Sequence, residues 1–101
     1  MATTRIASGR TTPGTTAWMV FNGMGIYVDV NTTSAMLTGM PVYVTSIGGN
    51  SSHWATTGAT SIYQPTATGF RVYVRWVDYS ALTPAQANSL QWHINWIAMD
   101  V

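Results

Sequence analysis

The sequence predicts an all-β fold, a single-domain antiparallel β-sandwich of about six strands with one short helical turn. Ser and Thr make up 24 of the 101 residues and are mixed with nine Gly, a composition typical of strands and turns. Apolar and polar residues alternate in several segments, as they do when a strand buries one face. The length allows one hydrophobic core, so residues 1–101 are expected to form one domain, with residues 1–4 disordered.

Alternation places the strands between turns rich in Gly, Ser, Thr and Asn. The strongest segment is residues 69–78, in which the even-numbered residues from Phe70 to Trp76 share an apolar face. The last segment is apolar on both faces toward its end, so it is expected to be covered on both sides. The other predicted strands are residues 5–10, 18–21, 26–30, 41–47, 59–64 and 91–101.

One helical signal occurs, at residues 82–88. Thr83 suits the N-cap, Pro84 suits the first helical position, and Gln86 completes a capping box. We expect one or two turns of helix here.

The charged residues are scarce and exclude several classes of partner. Four Arg and three Asp give a net charge of +1, and Lys, Glu and Cys are absent. No basic cluster is present, so nucleic acid is not an expected partner. No apolar run is long enough for a signal peptide or a membrane span, so no membrane insertion is expected.

The same scarcity argues against an enzyme and against a cofactor or metal. His53 and His93 lie 40 residues apart with no Cys or Glu nearby in sequence, which is not the spacing of a metal-ligand set. General acid–base and nucleophilic catalysis usually draw on His, Glu, Asp, Lys or Cys, and this chain lacks Lys, Glu and Cys. No catalytic residue and no cofactor are predicted.

A loop after the strongest strand has the residue types of a sugar site. Such a site needs an aromatic ring for the apolar face of the sugar and fixed polar groups for its hydroxyls. Trp76 or Tyr79 could stack on a ring, Asp78 could accept bonds from two hydroxyls, and Asn22 could join them from another loop. The alternative is that Trp76 belongs to the core by strand phase and Asp78 is a turn residue.

A second loop, residues 48–54, carries two large rings at its end. His53 and Trp54 could cap a pocket. Alternatively, Trp54 packs under the loop as a satellite of the core, with His53 in solvent. His93 lies on the strand face opposite Trp92 and Trp96, where a hydrogen-bonded packing role is the usual one.

Several pieces of the sequence, taken in chain order, form a family pattern. They are residues 5–10 (RIASGR), Trp18, residues 41–47 (PVYVTSI), residues 68–71 (TGFR) with Trp76 after them, and residues 96–98 (WIA). In this order they resemble the H-type lectins, which are small carbohydrate-binding β-sandwiches that assemble as trimers or larger multiples. The resemblance implies glycan binding by a homotrimer and favours an extracellular or virion-surface location.

The chain departs from the family pattern where the family binds its sugar. The loop after the early tryptophan offers Asn22 where the family has an acidic residue. Ser61 stands in place of the family's arginine, and Val77 in place of the histidine beside the later tryptophan. The family's selectivity for N-acetylgalactosamine is therefore not carried over to this chain.

The composition also predicts self-association. Only 7% of the residues are charged, whereas a soluble monomer surface typically carries about 25–35%. We predict a homotrimer held by outward residues of the last two strands, with Arg stacked on Tyr and bonded to carbonyls or Asp of a neighbour. The alternative is a lone sandwich kept soluble by its Thr and Ser. The predicted interface residues are Arg71, Tyr73, Arg75, His93 and Asn95.

Two functions follow from these observations. The first is a trimeric lectin that binds glycans through Asn22, His53, Trp54, Trp76, Asp78 and Tyr79. The second is a structural trimerisation or receptor-binding knob at the end of a fibre or particle protein, such as a phage tail fibre. A groove with exposed aromatic surface at loops 22–25 and 76–79 would favour the lectin, and closed packing there would favour the knob.

Overall fold

The structure, a computed structural model, describes residues 5–100, which form the all-β sandwich that the sequence predicts. The predicted disorder of residues 1–4 lies outside the described residues. The α-helix is α1 (Pro84–Ser89), and short 3-10 helices span Thr33–Ala35 and His53–Ala55. The strands are β1 (Ile6–Arg10), β2 (Met19–Phe21), β3 (Gly25–Asn31), β4 (Val42–Gly48), β5 (Thr56–Thr57), β6 (Tyr63–Thr66), β7 (Gly69–Trp76) and β8 (His93–Met99).

The strands form two sheets in which every pairing is antiparallel. One sheet has three strands in the order β1-β8-β4. The other has the order β2-β3-β7-β5, and β6 also pairs with β7. Strands β7 and β8 are neighbours in sequence but lie in different sheets, because α1 carries the chain from one sheet to the other. This separation decides which side chains share a surface.

The prediction of a strand over residues 59–64 is wrong in detail. The chain turns at Gly58, where the Ser61 N–H donates to the Gly58 carbonyl at 3.0 Å, and pairing with β7 resumes only at Tyr63. Gly58 has a φ of 108° and lies against the Tyr73 carbonyl, with no room for a Cβ. A glycine is needed there, and it breaks the strand that alternation alone would predict.

The core lies between the sheets and is built by the alternation that the sequence shows. The five-stranded sheet contributes two buried rows from β3 and β7, ending at Val30 and Val74, and β8 contributes Ile94, Trp96 and Ala98. Trp92, just before β8, is fully buried, packs edge-on against Trp76 at 5.2 Å between centroids, and donates from Nε1 to the Ser51 carbonyl at 2.9 Å.

Polar bonds also join the two sheets. The Tyr43 hydroxyl, on β4, lies 2.8 Å from the Thr32 hydroxyl and donates to the Thr66 carbonyl at 2.5 Å. Nearby, the Thr45 hydroxyl donates to the Ala59 carbonyl at 2.6 Å. Because each donor belongs to one sheet and each carbonyl to the opposite layer, these bonds fix how the sheets are aligned.

The predicted helix is confirmed, with its capping box. The Gln86 backbone N–H donates to Thr83 Oγ1 at 3.1 Å, and the Thr83 backbone N–H donates to Gln86 Oε1 at 3.0 Å. Pro84 occupies the first turn. Among residues 5–100, no helix is long and apolar enough to cross a membrane.

The expected cover on both faces of the last strand is not found within one protomer. Residues 94, 96 and 98 of β8 are buried, but Ile97 and Met99 on the opposite face are 53% and 39% exposed. Among residues 5–100 no third layer covers this strand's outer face, so its apolar side chains remain in contact with solvent.

Candidate functional site

The residues predicted to form one interface lie on two opposite faces of the sandwich. Arg71, Tyr73 and Arg75 point outward from β7 in the five-stranded sheet. His93 and Asn95 point outward from β8 in the three-stranded sheet. They do not form a continuous surface, because alternate residues of each strand face away from the shared core.

The outer face of the five-stranded sheet is rich in aromatic rings, and we call it the aromatic face. At its centre is Tyr73, whose ring lies 4.9 Å from Phe21, 4.9 Å from Tyr63 and 5.7 Å from Tyr27, measured between centroids. The rings meet edge-on or tilted, which is the favoured geometry for aromatic pairs. Four strands therefore supply one fixed cluster of rings.

Arg71 is held on this face by its own chain. Its Nε and Nη2 donate to the two carboxylate oxygens of Asp29 at 2.6 and 2.9 Å, and its guanidinium lies 4.2 Å from the centre of the Tyr27 ring. Its Nη1 donates to the Tyr73 hydroxyl at 3.3 Å. The Arg–Tyr stacking and Arg–Asp pairing predicted between neighbouring copies are thus formed inside one protomer.

A groove of about 590 Å³ opens on the aromatic face near the loops. Gly25 contributes only backbone to its lining. A Cβ at this position would lie 2.9 Å from the Val74 carbonyl oxygen, so a larger residue does not fit there. The side chains that line the groove are apolar, hydroxyl-bearing and cationic: Phe21, Met24, Thr57, Ser61, Tyr63, Tyr73 and Arg75. An apolar groove with a few polar groups at its walls is the usual form of a small-ligand site.

Three loops meet at this end of the sandwich. The Leu82 N–H donates to the Met24 carbonyl at 3.1 Å, which joins the β7–α1 loop to the β2–β3 turn. The Val77 N–H donates to the Ala55 carbonyl at 3.0 Å, which joins the same loop to the 3-10 helix before β5. The six predicted ligand residues therefore all lie at one end of the fold, but none of them lines the groove.

The structure shows which residues Trp76 and Asp78 contact, a point that the sequence did not decide. Trp76 is half-buried and packs against Trp92, so part of its ring belongs to the core. The Ser80 N–H donates to Asp78 Oδ1 at 2.9 Å, and this bond lowers the pKa of that carboxyl. Asp78 thus also shapes a turn. Asn22 occupies the β2–β3 turn with a φ of 58°.

Tyr79 contacts a residue of the groove. Its ring is 63% exposed and lies 4.0 Å from the guanidinium of Arg75, which lines the groove. Arg75 Nη2 donates to the Tyr79 hydroxyl at 3.3 Å, and Nη1 donates to the Trp76 carbonyl at 3.0 Å. The loop that the sequence singled out therefore holds a groove residue in place.

The second loop, residues 48–54, does not adopt the alternative arrangement in which Trp54 packs under the loop and His53 lies in solvent. Trp54 is 88% exposed, so it does not lie under the loop. Nδ1 of His53 is buried without a hydrogen-bond partner among the described residues, so this atom is not in solvent. His93 has a packing role, with Nδ1 2.9 Å from the Gln91 carbonyl and its ring against Gly48.

Six residues of the aromatic face and its groove were missed as site residues: Phe21, Met24, Tyr27, Thr57, Ser61 and Tyr63. The sequence did show that Tyr27 and Asp29 share the face of β3 opposite its apolar residues. This alternation along β3 was the sequence signal that could have identified Tyr27 as a residue of the outer face. Tyr63 gave no comparable signal, because its strand is interrupted by the turn at Gly58.

Within residues 5–100, no group of three or more His, Cys, Asp or Glu side chains comes together to hold a metal ion. Compared with known proteins, the chain matches no family model, no curated protein and no solved structure. The likeness to H-type lectins therefore rests on the sequence motifs alone.

The Asp29–Arg71 pair predicts an acid-dependent loss of stability. Hydrogen bonds from Arg71 lower the pKa of Asp29 below the value of about 3.9 expected in the unfolded chain. The stabilisation is complete above the unfolded pKa and is lost as pH falls through the lower folded pKa. We expect the melting temperature to drop below about pH 4. The Asp29 carboxylate is 61% exposed, so water screens the pair and the effect should be small.

Thermal melts of the native protein and of Asp29→Asn, from pH 7 to pH 3, test this expectation. The variant should melt lower at neutral pH, and the two curves should converge in acid. Parallel curves would show that the pair does not contribute.

Proposed function

We propose that this chain is a lectin-like carbohydrate-binding domain that acts as a homotrimer. The glycan binds on the aromatic face, in the groove beside Gly25. Copies of the chain pack through the opposite face of the sandwich. Each part of the proposal rests on a separate surface.

The open aromatic groove is the observation that supports glycan binding best. Phe21 and Tyr63 line it and are 44% and 50% exposed, so their rings are accessible. Both pack against Tyr73, which fixes them before a ligand arrives and lowers the entropic cost of binding. A sugar ring presents C–H groups on one face, and a fixed aromatic ring is the surface that covers them.

Polar groups at the walls of the groove match the hydroxyls of a sugar. Thr57 and Ser61 line it, and both residues are exposed. Arg75 is fixed by the Trp76 carbonyl and the Tyr79 hydroxyl, and a guanidinium carries five N–H donors, so further donors remain for a ligand. Thr57 and Ser61 together with the donors of Arg75 therefore offer the kinds of hydrogen-bonding group that suit the hydroxyls of a sugar.

The outer face of the three-stranded sheet supports the homotrimer, and we call it the apolar face. Ile6 and Val42 lie on either side of Met99, and Val44 lies beside Ile97, so the exposed side chains are contiguous across β1, β8 and β4. They are 39–65% exposed. Contiguous apolar patches of this kind mark interaction surfaces.

The second copy is the occupant that fits the apolar face. Within β1, β4 and β8, Arg10 is the sole residue with a formal charge, so copies of this face meet without strong repulsion. The grooves lie on the other side of each sandwich and stay open. A trimer would then present its sites together, and weak single sites would gain avidity.

The apolar face also keeps the structural knob as a second candidate function. It supports assembly whether or not the groove holds a ligand. A fibre-tip trimer without glycan binding would use this face alone.

Glycan binding is tested by comparing groove and loop variants on a glycan array and by titration calorimetry. Tyr63→Ala is expected to weaken binding about tenfold or more, because removing a stacking ring costs on the order of 1.5 kcal/mol. Trp54→Ala and Asp78→Ala are matched loop variants and should retain binding. If only the loop variants lose glycan binding, the binding site lies on the loops and not in the groove. Silence of the native protein across the array would favour the knob.

A further inference from the structure

The aromatic face carries a second depression at its other end. It has a volume of about 410 Å³. Gly69 contributes backbone to it, as Gly25 does in the groove. A Cβ at Gly69 would collide with the Val30 carbonyl oxygen. Its side-chain lining is mainly polar, with Asp29, Asn31, Gln64, Thr66 and Thr68. We call it the polar depression.

The groove and the polar depression lie along the same strand. Arg75 and Tyr73 of β7 line the groove, and Gly69 lines the polar depression. All three are odd-numbered residues of β7, so they lie on the same side of the strand, which is the outer face of the sheet. Arg75 lies six positions after Gly69, which is about 20 Å along a strand. A single sugar ring is far shorter than this.

The surface between the two ends is continuous. Arg71 and Tyr27 occupy it, with the guanidinium stacked 4.2 Å from the ring centre. Tyr27 is in turn packed against Tyr73 in the groove, while Asp29, which binds Arg71, lines the polar depression. Flat side chains therefore lead from one end to the other.

We infer that the ligand is a linear oligosaccharide of several rings that lies along β7, from the groove to the polar depression. This inference rests on the proposed function of the groove and adds the length and direction of the ligand. Rings would stack at the groove and over the Tyr27–Arg71 pair, and hydroxyls of the last ring would bond in the polar depression.

We call the surface that runs from the groove over Tyr27 and Arg71 to the polar depression the track. The charges along the track favour an uncharged oligosaccharide. Arg71 is neutralised by Asp29, whose carboxylate remains 61% exposed at the polar depression. A densely sulfated or carboxylated polymer would meet that carboxylate at one end and a single further cation, Arg75, at the other. Amide and hydroxyl groups, such as those of Gln64 and Thr68, instead match neutral sugar hydroxyls.

Gln64 offers a clean variant for the test. It has a φ of 52°, lines the polar depression and is exposed. Gln64→Gly removes the side chain in a backbone conformation that glycine adopts without strain. The fold should therefore be retained while one end of the track loses its amide.

The experiment measures calorimetric affinity against a size series, from monosaccharide to hexasaccharide, of the sugar that binds best on an array. We expect affinity to rise about tenfold or more from monosaccharide to tetrasaccharide, as successive contacts form. Gln64→Gly should lower the affinity of the longer members of the series, which reach the polar depression, and leave the affinity of a monosaccharide in the groove unchanged. Tyr63→Ala should weaken every member of the series.

The outcomes separate this inference from the proposed function. Equal affinity along the series, or a Gln64→Gly profile identical to the native one, would overturn the inference and leave the groove as a monosaccharide site. No binding by any member would overturn both. Dissociation of the oligomer in Gln64→Gly would assign the track to a second copy of the chain and also overturn the inference.

Discussion

Trp92→Ala is expected to lower the free energy of unfolding by about 3–5 kcal/mol. The Trp92 side chain is fully buried, and its ring contacts Trp76 at 5.2 Å between centroids. Truncation would leave a cavity between the sheets and deprive the Ser51 carbonyl of the Nε1–H donor at 2.9 Å. Since a domain of this size typically has only about 5–15 kcal/mol of stability, the variant should unfold at a markedly lower urea concentration than the native protein.

Trp54→Ala is the matched control, because it removes the same side chain from a surface position that is 88% exposed. Its unfolding free energy should stay within about 0.5 kcal/mol of the native value. Urea unfolding of both variants, followed by far-UV circular dichroism, gives the comparison. Similar losses in the two variants would contradict the placement of Trp92 at the centre of the core.

Ile97→Asp is expected to dissociate the proposed trimer into folded protomers. Ile97 lies in the middle of the apolar face, on the central strand β8 and opposite Val44. A carboxylate buried there between copies would lose its hydration among apolar side chains and would cost on the order of 3 kcal/mol per interface, about a hundredfold in association. Within a protomer the position is half exposed, so the fold should survive.

Sedimentation velocity at micromolar concentration measures the result. Val77→Asp is the control, because Val77 is 55% exposed but lies in the loop after β7, away from the apolar face. That variant should sediment like the native protein. A native protein that sediments as a single protomer, or an Ile97→Asp variant that stays associated, would overturn the assembly proposal.

The local features of the fold could be predicted because they depend on neighbours in sequence. The period of two in β7 identified its buried row. The Thr83–Gln86 capping box predicted the start of α1 through bonds that span three residues. The turn at Gly58 was missed because its cause is a backbone contact with Tyr73, a residue distant in sequence.

The candidate site could be predicted only in part. The sequence indicated the loops around Asn22 and Tyr79, and the structure brings those loops to one end of the sandwich. It did not indicate that Phe21 and Tyr63, from separate strands, pack on the same ring of Tyr73. Strand order within a sheet is set by long-range pairing, and alternation along a single strand carries no record of it.

By itself, the sequence determined that this protein is a small β-sandwich with too few charges to cover its apolar residues. It also determined which side chains of β3, β7 and β8 face inward. The tertiary structure decided that β7 and β8 belong to different sheets, so the residues expected to form one interface became two surfaces. The physical reason is that side-chain phase is a property of each strand, whereas the partition of strands between layers minimises the exposed apolar area of the whole chain.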